Sequence, residues 1–221
     1  MTRREIAPLI DHTLLRPEAT ANDIRKICEE ARQYGFATVC VNPYWVELAA
    51  KALRDSPVKV CTVAGFPLGA SALSGKVCEA SVALKTGARE IDMVLNIGEL
   101  HGANDEAVAG EILAVVAAAR PYRAIVKVIL ETALLNQEQK LRACLLAKEA
   151  KADFVKTSTG FGPHGATVAD VALLRSAVGP EMGVKASGGI RTLEDLKNMV
   201  SAGATRIGTS SGVKIIESVS D

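Results

Sequence analysis

Residues 150–156 read AKADFVK, and the plan of that stretch recurs as YGFATVC (34–40), TGAREID (86–92) and AGATRIG (202–208). Each unit has a helix-ending slot, a short link and then an apolar run. Glycine occupies the slot at 35, 87 and 203, where a left-handed residue closes a helix without a Cβ clash, and Lys151 occupies it once. Aligning the units places Cys40, Asp92, Lys156 and Gly208 at one register, five residues past the slot. A lysine in an apolar strand needs compensation, because burying an ammonium without a partner is costly.

β-rich runs alternate with helical patterns along the whole chain. Strand candidates are 10–14, 36–41, 58–63, 89–95, 123–130, 153–157, 182–186 and 204–208. Helical stripes at i, i+3, i+4, i+7 spacing lie between them: Ile24, Ile27, Cys28 and Ala31; Val108, Ile112, Val115, Val116 and Ala119; and Leu141, Cys144, Leu145 and Lys148. Alternating strand and helix implies parallel strands joined by right-handed crossovers. Eight strands predict an α/β fold, a single (β/α)8 TIM barrel over residues 1–221 with a short N-terminal helical segment. A doubly wound open sheet is the alternative.

In such a barrel each interior layer comes from alternate strands, and the repeat units fall on the second, fourth, sixth and eighth. Side chains alternate faces along a strand. Valines flank Cys40 and Lys127, Ile91 and Met93 flank Asp92, and Val184 and Ala186 flank Lys185. The flanking pairs suit the helix-covered face, so Asp11, Cys40, Asp92, Lys127, Lys156 and Lys185 are expected to converge inside.

Composition excludes several function classes. A net charge of +1 and no basic block give no case for nucleic acid or a membrane surface. The single Trp45 and sparse aromatics offer no platform for stacking bases. Five cysteines with no C-x-x-C pair favour reduced thiols and a cytoplasmic location. No apolar run reaches membrane-spanning length, and the start MTRREIAPLIDHTLL does not read as a signal peptide. His12, His101 and His164 are scattered without metal-ligand spacing, so no metal and no cofactor are expected.

The lysines point to covalent chemistry. Only a neutral amine is nucleophilic, and an ordinary lysine has a pKa of about 10.4. Desolvation and a neighbouring like charge both lower it, and Lys185 on the next strand supplies such a charge. One neutral and one cationic lysine in one interior suit a Schiff-base enzyme. Asp92 reads either as a participant or as a structural counter-ion. KASGGIRTLEDL (185–196) and RIGTSSGVKI (206–215) follow the seventh and eighth strands, where barrel enzymes commonly bind phosphate through backbone N–H groups. A phosphate-binding barrel of other chemistry, such as a sugar-phosphate isomerase, and a non-catalytic binding protein are the competing classes.

LIDHTLL, VCVNP, VAGFPLGAS, EIDMVLNIGEL, KVILET, DFVKTSTGF, VKASGGIRT and RIGTSSGVKI occur in this order across nearly the whole chain. In them the sequence resembles the deoxyribose-phosphate aldolase family. The resemblance implies a metal-free class I aldolase that reversibly cleaves 2-deoxy-D-ribose 5-phosphate to D-glyceraldehyde 3-phosphate and acetaldehyde in deoxyribonucleoside catabolism. It implies Lys156 as the Schiff-base lysine, Lys185 as its electrostatic partner and Asp92 as a proton-transfer residue working with water. Asp11, Cys40, Lys127 and Thr157 match supporting positions. Gly160, Gly188, Gly189, Gly208, Ser210 and Ser211 match the phosphate end. The expected partners are the phosphorylated sugar and acetaldehyde, with a homo-oligomer, dimer or tetramer. Some relatives carry a longer tail ending in a tyrosine; here Tyr34, Tyr44 and Tyr122 all lie upstream. Gly162 stands where a cation would follow Phe161, leaving the phosphate charge without an assigned partner.

Overall fold

A computed structural model describes residues 1–219; the last two residues of the expected 1–221 domain lie outside the described residues. Eight parallel strands close on themselves in sequence order: β1 Ile10–Leu14, β2 Thr38–Val41, β3 Lys59–Ala64, β4 Glu90–Val94, β5 Ile125–Ile129, β6 Phe154–Lys156, β7 Gly183–Ser187 and β8 Arg206–Thr209. The closed barrel replaces the open-sheet alternative. A four-residue helix, Arg3–Ile6, precedes β1 and is the short helical segment expected at the N-terminus.

Local chemistry sets the helix ends. Thr20 and Asp23 form a reciprocal capping box at the start of Ala21–Tyr34, and Gly35 ends it at φ +72°. Lys151 takes the repeat's left-handed slot at φ +60°, where its three counterparts are glycines. The stripes through Ile24 and through Val108 are buried against the sheet. The third stripe is rotated from expectation. In Gln137–Glu149 the inner face is Ala143, Cys144, Leu146 and Ala147, while Leu145 is exposed. Both faces carry apolar residues at helical spacing, and the alanine-bearing face allows the helix to approach the strands closely.

The register makes the repeat geometric. Cys40 pairs with Cys61 and Cys61 with Glu90, two residues short of Asp92. The same offset of two separates Phe154 from Lys156, Arg206 from Gly208 and Thr38 from Cys40. Four offsets of two residues give a shear of eight, the value for this barrel class. Cys40, Asp92, Lys156 and Gly208 therefore form one interior layer from the even strands. Asp11, Cys61, Lys127 and Lys185 form the layer beneath from the odd strands, and Thr38, Glu90, Phe154 and Arg206 form the floor. The apolar residues flanking these positions, such as Val39, Ile91, Val126 and Val184, join the outer core against the helices. Most barrels of this class fill the interior with branched aliphatics; this one fills it with ions.

Candidate active site

Three carboxylates and four cationic side chains meet in the interior, all buried or nearly so. Six of them alternate in sign around a closed ring. Arg206 Nη1 lies 2.7 Å from Asp11 Oδ1, and Asp11 Oδ2 lies 2.5 Å from Lys185 Nζ. Lys185 then donates to Asp92 Oδ2 at 2.7 Å, and Lys127 donates to Asp92 Oδ1 at 2.7 Å. Lys127 meets Glu90 Oε2 at 2.5 Å, and Glu90 returns to Arg206 at 3.0 Å. Lys156 hangs outside the ring and donates to Asp92 Oδ2 at 2.8 Å.

Charge neighbours hold the ring ionised. Burial pushes the Asp92 carboxyl up, but Lys127, Lys156 and Lys185 outweigh it and hold it well below the usual range. Asp11 behaves likewise, with Lys185, Lys127 and Arg206 overcoming burial. Burial disfavours the charged Lys185, yet Asp11 and Asp92 raise it above the ordinary lysine value. Lys127 is raised against burial by Asp92, Glu90 and Asp11, with Cys61 assisting. The ring holds three positive and three negative charges, so a protonated Lys156 is the one excess. Losing that proton leaves the interior neutral, and the neutral amine is the form that attacks carbonyls.

Above Lys156 a cleft of about 330 Å³ opens at the C-terminal ends of β6, β7, β8 and β1. The C-terminal face is where enzymes of this barrel class hold their chemistry. Lys156, Gly160, Gly188, Gly189, Gly208 and Ser210 line it, as the sequence leads one to expect. Gly188 and Gly189 sit at φ +86° and +80°, which glycine adopts freely. Gly165 packs against the Gly188 carbonyl so closely that a Cβ would overlap it, joining the β6 and β7 loops.

Other expected residues stand off the cleft. Ser211 donates its N–H to Thr209 Oγ1, starting the turn into Gly212–Glu217. Thr157 accepts from the Ser187 N–H at 3.1 Å and donates to the Ser187 carbonyl, pinning β6 to β7. Cys40 is in the Lys156 layer but packs with Leu15, Cys61 and Val63 beneath Phe66. Its thiol is lowered chiefly by a hydrogen bond from Cys61, whose own thiol is raised by burial. Cys40, Cys61 and Asp92 bring three donor atoms within 4.8 Å of one another. A metal ion there would meet three ammonium groups already on that carboxylate.

Glu90, Arg206 and Cys61 were not singled out in the sequence. Parity could have found the first two, since each lies two residues before a position assigned to the interior. Arg16 and Arg191, both lining the cleft, supply the cations that the Phe161–Gly162 stretch lacks. Arg16 is steadied by Asp23 at 3.2 Å. They lie in loops, where no periodicity marks a direction.

A sequence model of the DeoC/LacD family aldolases matches residues 6–218. The chain belongs to this aldolase family. It is 61% identical over 213 residues to the deoxyribose-phosphate aldolase of Caldanaerobacter subterraneus subsp. tengcongensis, covering 96% of this chain and 92% of that protein. It is 59% identical to the deoxyribose-phosphate aldolase of Thermococcus kodakarensis in an alignment of 223 positions that covers 100% of each chain. Among solved structures, the tetrameric deoxyribose phosphate aldolase of Aeropyrum pernix superposes with a TM-score of 0.93 at 41% identity, covering 98% of this chain and 92% of that one. This aldolase thus has the barrel of its relatives, with the ion ring at its centre.

Proposed function

We propose that this aldolase acts as one domain on 2-deoxy-D-ribose 5-phosphate, releasing D-glyceraldehyde 3-phosphate and acetaldehyde through a Schiff base on Lys156. The observation that carries the reading is the shared oxygen: Lys156 and Lys185 both donate to Asp92 Oδ2 at the base of the cleft. The names of the relatives supply the substrate class.

Neutral Lys156 attacks the sugar's aldehyde carbon, giving a carbinolamine that loses water to a protonated imine. The C2–C3 electron pair flows toward the imine nitrogen as the C3 hydroxyl proton leaves, forming the new aldehyde and an enamine. Protonation of the enamine carbon and addition of water release acetaldehyde and restore the amine. Ionised Asp92 and cationic Lys185 place an acceptor and a donor next to the reacting nitrogen, the arrangement that proton transfer requires. Backbone N–H groups around Gly160, Gly188, Gly189 and Ser210, with Arg16 and Arg191, suit the phosphate. Binding remote from the cleaved bond orients it.

A homo-oligomer, dimer or tetramer, belongs to the proposal on the strength of the A. pernix tetramer; sedimentation tests it. Five unpaired cysteines suit a cytoplasmic location. No described helix is long and apolar enough to cross a membrane. Acetaldehyde with borohydride is expected to leave an ethyl group on Lys156, located by peptide mass mapping, and Lys156→Ala should give none. Full cleavage activity without any adduct overturns the covalent route.

A further inference from the structure

We infer that Glu90 and Arg206, on the barrel floor two layers from the chemistry, are positioning residues that set the charge of Lys156 through the ion ring. Neither touches the cleft. Glu90 reaches Lys127 at 2.5 Å and Arg206 reaches Asp11 at 2.7 Å, and these two carry the ring to Asp92. The floor pair closes the two arms on each other, with Arg206 Nη1 donating to both Glu90 oxygens at 3.2 and 3.0 Å, and Lys127 crosses between the arms to Asp11 at 3.7 Å. Arg206 is further seated over the Phe154 ring at 5.5 Å, a cation–π contact.

Physics gives the coupling a sign. Among the described residues, the titratable or charged groups around Lys156 are Asp11, Cys40, Cys61, Glu90, Asp92, Lys127, Lys185 and Arg206 inside the barrel, with Arg16 and Arg191 lining the cleft above it and buried Glu131 accepting from the Thr159 N–H on the loop beyond it. Lys59 lies in the row of Thr38 at the floor rim and is exposed to solvent. Removing one negative charge from the ring adds to the positive excess and expels the Lys156 proton more readily. Removing one positive charge relieves the excess and retains it. Removing one of each restores the count while destroying more contacts. Because imine formation needs the free amine, its acid limb must follow these signs.

The inference rests on Lys156 being the imine-forming lysine, and the experiment separates the two. Acetaldehyde trapping rates are followed against pH in the full-length enzyme and in Glu90→Gln, Arg206→Gln, the double variant and Arg206→Lys, with circular dichroism to verify folding. Glu90→Gln should move the acid limb down by about one pH unit and Arg206→Gln up by about one, the scale of a unit charge some ten ångströms away in a protein interior. The double variant should return to within a few tenths of the parent, and Arg206→Lys, which keeps the charge, should stay there. Shifts of the two single variants in the same direction, no shift, or a double variant displaced beyond both singles overturns the inference. If one single variant fails to fold, the direction of shift in the other still decides, with Arg206→Lys as the charge-keeping control: a shift of the wrong sign or none overturns the inference. A parent enzyme that traps no acetaldehyde defeats the Schiff-base reading itself, and this inference with it.

Discussion

Lys156 and Lys185 donate to one oxygen, Oδ2 of Asp92, at 2.8 and 2.7 Å. Two ammonium groups on one oxygen are held together by the anion while repelling each other. Lys185 has a second anchor in Asp11 at 2.5 Å, whereas Lys156 is held by Asp92 alone.

Replacing Lys185 by methionine makes the interior neutral with Lys156 still charged. Trapping of acetaldehyde at pH 7 should then slow roughly 100-fold, the scale set by loss of a neighbouring like charge in a buried site. Raising the pH should recover much of the rate. A loss that no pH restores assigns Lys185 to something other than charge.

Acid stability follows from the two depressed carboxyls. Asp11 and Asp92 are held below their unfolded values, near 3.9, because their lysine and arginine neighbours outweigh burial. Their contribution to stability is fully present above the unfolded value and is lost as pH falls through the folded values. Unfolding free energy from urea titration should therefore stay level from about pH 7 to 5 and fall steeply below about pH 4. In Asp11→Asn the fall should be shallower by about one proton, since the slope counts protons taken up on unfolding. Equal slopes in the two proteins refute the assignment.

The loops above β6 and β7 depend on glycine contact. Gly165→Ala drives a methyl group into the Gly188 carbonyl and displaces the backbone that faces the phosphate end. The expected result is a KM for deoxyribose 5-phosphate raised about tenfold or more, in line with misplacement of a positioning element. Cleavage of unphosphorylated deoxyribose should change little. Equal losses on both substrates would place the damage at Lys156 instead.

Much of this architecture is legible in the chain because it rests on short periods. Strand parity placed Asp92, Lys127, Lys156 and Lys185 inside, and the repeat put Cys40 and Lys156 in one layer. The register now gives the reason, an offset of two residues every second strand. The ring was not legible. Arg206 and Glu90 are 116 residues apart and meet only when the barrel closes, so no local pattern joins them. The helix after Asn136 shows a second gap. Apolar residues on both faces satisfy the same spacing, and only packing against the strands chooses Leu146 over Leu145. Arg16 and Arg191 illustrate a third, since loop side chains take their direction from turns rather than periodicity.

Outside the barrel wall a second buried ion pair supports the cleft from below. Lys76 is fully buried and donates to Glu111 Oε2 at 2.6 Å, and Asn96 approaches the other carboxylate oxygen at 3.4 Å. The lysine stem packs on Gly65, which sits at φ +62° and leaves no room for a Cβ. Gly65 begins the loop that carries Phe66, and Phe66 meets Phe161 of the cleft edge-on at 5.4 Å. Removing one partner of a buried pair strands the other charge, which costs about 3–5 kcal/mol, whereas apolar replacement of both is often neutral. Glu111→Ala should therefore destabilise by about that amount in urea titration, and Lys76→Met with Glu111→Leu should recover most of it. The single variant should also raise KM, because the Phe66 loop loses its floor, while the double variant should bring KM back with stability. Recovery of stability without recovery of KM would show that the pair, rather than the packing of the stem on Gly65, positions the loop.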